Sequence, residues 1–231
     1  MKRSKLYRSR LAAIVPGKQY LLEDAVKCLK AMPKAKFDET VEIAFRLGID
    51  AKQSDQTVRG AIVLPKGSGK TVRVAVVAEG DAAKAARDAG ADFVGYEDLV
   101  KKIQDGWMDF DTLIATSAAM KLVRTLARQL GPRGLMPNPK NGTVTDDTAT
   151  VVREAKLGRV QYRSDKAGVV HAPAGKLSFS EADLAENLHA LVDAIRRARP
   201  AAAKGTFFMS VTLSATMSPG VPVDARPLAK V

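Results

Sequence analysis

Residues 36–47 read KFDETVEIAFRL, and the architecture of the chain follows from this stretch. From Thr40 to Leu47 the residues alternate, with Val41, Ile43, Phe45 and Leu47 apolar and Thr40, Glu42 and Arg46 opposite them, broken only by Ala44. A period of two is that of a half-buried strand, so Thr40 and Glu42 face away from the core. Just before it, Lys36 sets a cation beside the aromatic Phe37. Two readings of Phe37 stand side by side. It closes the preceding helix as a core residue, or it stays exposed and stacks on an unpaired base while Lys36 meets a phosphate. Such stacking is worth roughly 1–3 kcal/mol per base.

A strand of this kind needs partners, and they have to be sought elsewhere. Ahead of it lie a basic N-terminal helix and a second helix around Leu21 to Ala31. The last third offers Arg159 to Ser164 and Val169 to Ala172 as a hairpin around Asp165 to Gly168. A helix follows, with Ser180 as N-cap, Asp183 three residues on, and a stripe of Leu184, Leu188, Leu191, Val192 and Ile195. A long strand, Thr206 to Thr216, comes after it. Neither flank has enough strands for a stable sheet alone, so the economical solution joins them in one α+β domain, residues 1–67 and 158–231.

The middle, residues 68–157, reads differently. Val72 to Val77, Asp92 to Val94 and Thr112 to Thr116 are strand-like; Asp81 to Ala89, Glu97 to Gln104 and Ser117 to Leu130 are helical, with Gly131 as the expected cap of the last. Strand and helix in alternation predict an inserted, Rossmann-like α/β domain with a parallel sheet. Both chain crossings between the expected domains carry glycines, Gly67 and Gly69 in one and Gly158 in the other, which predicts a double-stranded hinge.

Charge separates the segments as well. The chain has a formal net charge of +12; residues 1–67 carry 14 basic and 7 acidic groups, residues 68–157 carry 13 and 12, and residues 158–231 carry 10 and 6. The excess lies in the flanks, which makes a polyanion the first candidate partner for the flanking domain. No apolar run approaches the ~20 residues that span a bilayer, and Leu11 to Val15 is too short for a signal-peptide core, so a cytoplasmic protein without a membrane partner is expected. The lone Cys28 forms no internal disulfide and falls on the apolar pattern of its helix as a small core residue.

Motifs for catalysis or cofactors are weak. Pro65 to Thr71, PKGSGKT, resembles a phosphate-binding loop, but Leu64 stands where the pattern needs glycine and a strand follows where it needs a helix. After the Val72 strand only Gly80 stands where a dinucleotide site needs three spaced glycines. His171 and His189 have no ligand-spaced partner, and no base lies beside a nucleophile. No enzyme activity, cofactor, metal or small-molecule substrate is therefore expected. The loop Gly131 to Gly142, GPRGLMPNPKNG, has a fixed backbone and two cations, Arg133 and Lys140, and serves either to touch phosphate or to join two elements. In the last strand Phe207, Met209, Val211, Leu213 and Ala215 point one way. Phe208, Ser210, Thr212, Ser214 and Thr216 point the other, as a solvated face or as hydroxyls for sugars and phosphates.

Lys36 to Glu42, Gly131 to Pro139, and Thr216-Met217 followed by Pro219 together resemble the large-subunit ribosomal protein L-one family of the mobile ribosomal stalk, in its bacterial form. The likeness extends from the basic N-terminus through Arg46 to Asp50, Ser54 to Arg59, Gly106 to Asp111 and Lys204 to Phe207. It implies a structural protein of the large (50S) ribosomal subunit whose discontinuous domain binds large-subunit (23S) rRNA at the stalk. It further implies that the stalk guides deacylated tRNA out of the exit site and that the free protein represses its own operon mRNA. The RNA-binding residues it implies are Lys36, Phe37, Thr40, Glu42, Asp165, Lys166, Ser210, Thr216, Met217 and Ser218. Ser218 stands where the family turn has glycine, and Glu42 and Asp165 would accept from 2′-hydroxyls or orient neighbouring cations.

Overall fold

The computed structural model describes residues 3–50 and 53–229. Two compact units divide the chain: Met1–Gly69 with Val160–Val231, and Lys70–Arg159. The first begins with α1 (Lys5–Ala12), capped by Ser4, whose hydroxyl accepts from the Tyr7 amide at 3.1 Å. In α2 (Leu22–Ala31) the positions Leu22, Ala25, Val26 and Leu29 are buried, the 3–4 spacing of one helical face. The Cys28 side chain is half-buried and packs at the edge of this core. Then come β1 (Thr40–Leu47), with the bounds its alternation predicts, and β2 (Arg59–Val63), a strand that the sequence reading did not anticipate.

The second unit is built on β3 (Val74–Val77), α3 (Gly80–Asp88), β4 (Phe93–Gly95), α4 (Glu97–Gln104) and β5 (Thr112–Ala115). The three strands are parallel in the order β4-β3-β5, and every residue of β3 is buried, as expected for a central parallel strand. The helix expected over Ser117 to Leu130 is broken. It divides into α5 (Met120–Val123), a tighter turn at Arg124–Leu126, and α6 (Ala127–Leu130). At the break, the Thr125 hydroxyl donates to the Leu122 carbonyl at 2.7 Å, a local bond of the kind that competes with helical pairing. Gly131 is the cap of the last piece, as expected, in a right-handed conformation with φ −58°; the left-handed residue of the following turn is Gly134, at +71°. Before leaving this unit the chain forms α7 (Thr148–Leu157), capped by the Asp147 carboxylate at its start and by left-handed Gly158, φ +104°, at its end.

Back in the first unit, β6 (Arg159–Arg163) pairs with β2, while β7 (Val169–Lys176), β8 (Phe208–Ala215) and β9 (Val221–Val223) join β1 in a sheet ordered β7-β1-β8-β9. The expected hairpin of the 159–164 and 169–172 segments therefore does not form as a ladder. Their strands go to different sheets, joined by one bridge, Ser164 to Val170. The Ser164 amide instead donates to the Val58 carbonyl at 2.8 Å, a tie that local patterning could not show. Between β7 and β8 lies α8 (Glu181–Arg197), and α9 (Ala225–Ala229) follows β9. The Ser180 hydroxyl accepts from the Asp183 amide at 3.1 Å, as its capping pattern predicts.

The core of this unit lies between α2, α8 and one sheet face. Val41, Ile43, Phe45 and Leu47 meet Leu184, Leu188, Leu191, Val192 and Ile195, and the rings of Phe45 and Phe208 sit 5.6 Å apart. Asn187 is fully buried among them. Its carbonyl oxygen accepts from the Lys66 amide at 3.0 Å, and its amide donates to the carbonyls of Gly67 at 3.0 Å and Ala174 at 2.8 Å. A backbone segment that leaves the sheet is thus held by one side chain.

Candidate nucleic-acid interface

β1 is the middle of the candidate surface. On its far side from the core stand Thr40, Glu42, Ala44 and Arg46, none of them buried. The antiparallel register sets Glu42 between Pro173 and Ser214, Ala44 between His171 and Thr212, and Arg46 between Val169 and Ser210. Pro222 extends the Thr212 row on β9. The result is an open, pleated face of hydroxyls with two cations, Arg46 and Lys176, one carboxylate and one imidazole; Nδ1 of His171 lies 3.5 Å from Glu42 Oε1.

Two bulges shape this face. The register slips between Arg46 and Leu47, which pair with Ser210 and Phe208, so Met209 is the extra residue of β8. The bulge reverses the expected orientations: Phe208 is buried at 2% exposure and Met209 stands out at 58%. From Val211 onward the alternation runs as expected, with Thr212 and Ser214 on the open side. A second slip, between Val41 and Glu42, leaves Ala174 as the extra residue of β7.

At one end of the sheet the site residues converge. The Thr40 amide donates to Thr216 Oγ1 at 3.1 Å and the Thr216 amide to the Thr40 carbonyl at 3.1 Å, while Lys176 Nζ donates to Thr40 Oγ1 at 2.9 Å. Phe37 and Met217 flank this knot, 53% and 55% exposed, and Lys36 is exposed beside them. The core reading of Phe37 is thereby replaced by the exposed one. Ser218, where the resemblance expects glycine, is half-buried; its hydroxyl accepts from the Ala215 amide at 2.7 Å and lies 3.0 Å from the Pro219 carbonyl as donor. Its hydroxyl is thus turned onto its own strand end.

Beneath the knot lies an ion pair with no signal in the sequence. Glu39 and Arg10 are each 1% exposed. The guanidinium donates to both carboxylate oxygens, at 3.0 and 2.6 Å, and through Nε to the Pro33 carbonyl at 2.7 Å. Glu39 also accepts the amides of Ala35 at 3.1 Å and Met217 at 3.0 Å. Burial pulls its carboxyl up. The Arg10 hydrogen bonds and the Met217 and Ala35 amides outweigh that, so it ends below the usual glutamate range. One carboxylate thus joins α1, the loop carrying Phe37, and the turn carrying Met217.

The remaining site residues fall at the other end of β1. Ser210 faces Arg46, and Asp165 and Lys166 lie in the turn entering β7, both exposed. Asp165 Oδ1 accepts the amides of Ala167 and Val169, each at 2.8 Å, so its carboxylate shapes the turn. At ~3.3 Å per residue the two ends of the strand are ~20 Å apart. The site residues therefore form two clusters, with Glu42 and the hydroxyl rows between them. The sequence reading left out Lys176, Arg10 and Glu39. A lysine on a strand and two charges in a basic flank carry nothing that separates them from solvated residues.

Elsewhere, Gly67 and Gly69 have φ of +74° and +69°, and His189 is exposed. A Cβ at Gly69 would lie 2.7 Å from Lys176 Cγ and about 3 Å from the Phe179 ring. In the 131–142 loop Arg133 is exposed, and the side chain of Lys140 lies outside the described residues. Among the described residues no helix is long and apolar enough to cross a membrane. Compared with known proteins, the chain matches the model of the ribosomal protein L1p/L10e family over residues 29–219, a span holding β1, the whole Lys70–Arg159 unit, and both clusters of the open face.

Proposed function

Because this chain belongs to the ribosomal protein L1p/L10e family, large-subunit ribosomal proteins that bind rRNA, we propose that the open face of the β7-β1-β8-β9 sheet is where it does so. The observation that carries this reading is the Thr40–Thr216 knot, with the exposed side chains of Phe37, three residues before Thr40, and Met217, next to Thr216. Unpaired bases stack on such side chains, and 2′-hydroxyls and phosphates pair with threonine, serine, lysine and arginine. Asp165, Lys166, Ser210 and Arg46 hold the far end of the same RNA.

Affinity for a large-subunit stalk RNA fragment, set against an unrelated RNA of equal length across a salt series, tests the site. Phe37→Ala should weaken specific binding by about 1–3 kcal/mol and leave the salt slope unchanged. Thr216→Ala should do the same and also orphan the Thr40 amide, whereas Thr216→Ser retains the acceptor. Equal, steeply salt-dependent binding of both RNAs by wild type and variants would refute the assignment.

The bound protein, in this proposal, helps release deacylated tRNA from the exit site, with Gly67, Gly69 and Gly158 acting as hinge residues. The free protein binds its own operon mRNA and represses translation. Family membership and the shared chemistry of the two RNA targets support this wider role. A messenger that fails to compete with the rRNA fragment would remove the repressor part.

A further inference from the structure

Residues 1–22 contain Lys2, Arg3, Lys5, Arg8, Arg10 and Lys18 and no acidic residue, and they precede the 29–219 segment matched to the family. Of these cations, among the described residues, Arg10 alone is buried, spent on Glu39. The helix that carries it turns Tyr7 and Arg10 inward, with Ile14 half-buried just beyond its end, and leaves Lys5, Arg8, Ser9 and Ala12 exposed together with Leu6 and Leu11. Arg3, also exposed, lies with its guanidinium carbon 4.6 Å from the centre of the Tyr7 ring. Among the described residues none of Arg3, Lys5 and Arg8 has a carboxylate partner.

These charges do nothing for the helix itself. Cations in a first turn oppose the helix dipole, and α1 has no acidic residue there to offset them. An eight-residue helix is also too short to be stable alone. Its position comes from the Arg10–Glu39 pair, and the same carboxylate holds the Ala35 and Met217 amides. A basic helix is thus locked, through one buried group, to the loop and turn that present Phe37 and Met217.

We propose that the outer face of α1 is a second RNA-contacting surface, on which Arg3, Lys5 and Arg8 engage backbone phosphates of the RNA helix that runs on from the sheet-bound segment. The proposal rests on the rRNA reading above and extends its footprint to residues outside the matched segment. Charge complementarity and continuity with the sheet-end cluster select this partner. The contacts would be sequence-independent, adding affinity and fixing the direction in which the RNA leaves the sheet.

The test uses the intact protein, its R3Q/K5Q/R8Q variant, and two stalk RNA fragments: one with the flanking helix complete and one trimmed to the segment that the sheet would hold. Glutamine keeps helix propensity, so far-UV dichroism should be unchanged. On the complete fragment the variant should bind about ten- to a hundredfold more weakly at ~0.1 M salt, its log-log salt slope flattening by roughly 2–3. On the trimmed fragment both proteins should bind alike, and the charge-conserving R3K/K5R/R8K variant should behave as wild type on both. Unchanged affinity and slope on the complete fragment would overturn the proposal, as would an equal loss on the trimmed fragment and on unrelated RNA. Failure of the underlying site reading shows separately, as a wild type that does not prefer stalk RNA or a Phe37→Ala variant that binds it normally.

Discussion

Replacing Arg10 by methionine should lower the unfolding free energy of the first unit by about 3–5 kcal/mol, the cost of leaving one partner of a buried ion pair uncompensated. The methylenes are nearly conserved, so packing is not the cause. Glu39 would retain the Ala35 and Met217 amides but lose both guanidinium bonds. Urea unfolding followed by far-UV dichroism reads the loss. Trp107, the only tryptophan, lies in the Lys70–Arg159 unit, and its fluorescence transition should stay in place. The pH dependence carries a sign. The wild-type Glu39 carboxyl is depressed by folding, so its contribution is complete above the unfolded value of ~4.3 and is lost as pH falls through the lower folded value. The gap between wild type and Arg10→Met should therefore narrow in acid. A loss under 1 kcal/mol at pH 7, or a gap that widens on acidification, would show that the pair does not support this fold.

Asn187→Ala should cost about 3 kcal/mol. The substitution removes three hydrogen bonds and leaves the Lys66 amide and the Gly67 and Ala174 carbonyls without the partner they have in the folded chain. Leaving such groups unsatisfied in a buried setting outweighs the loss of a polar side chain from the core. Hydrogen exchange distinguishes this from general weakening: the Lys66 amide should lose protection far more than the amides of β1, whose ladder with β7 and β8 is untouched. A Lys66 amide as protected as in wild type would mean that other groups hold this segment. Asn187→Asp, with one oxygen in place of the donor NH₂, should be worse than alanine, because it sets a carboxylate against two carbonyls.

What could be read from the sequence was whatever local periodicity encodes. Thr40–Leu47 and Glu97–Gln104 have the bounds that their patterns predict, and the Ser180 cap starts α8 as read. The failures share a cause, a choice made by distant residues. The 159–164 segment pairs with β2 rather than its neighbour because the Val58 carbonyl takes the Ser164 amide. Met209 leaves the core because β1 skips it, and a period of two carries no mark of a bulge in a partner strand. For the candidate site, alternation pointed to Thr40, Glu42, Ser210 and Thr216, and composition to Lys36 and Phe37. Arg10 and Glu39 could not be found in this way, since burial of a charge is decided by its partner, here 29 residues away.

The position of β1 in its sheet has a consequence for synthesis. Its ladder partners lie on strands whose residues come about 120 to 175 positions later; the Thr40–Lys176 contact spans 136 residues and the Thr40–Thr216 contact 176. At ~5–20 residues per second, a newly made β1 waits roughly 6–27 s before β7 exists and roughly 8–35 s before β8 does. The Lys70–Arg159 segment is translated within that interval and holds all three strands of its own sheet. It can close while its host is still open, with both hydrogen-bonding edges of an apolar strand exposed. Truncated nascent chains ending between Arg159 and Val169, with neither neighbour yet made, should therefore be the species that chaperones hold most tightly, and release should begin with the emergence of β7 and be complete with that of β8.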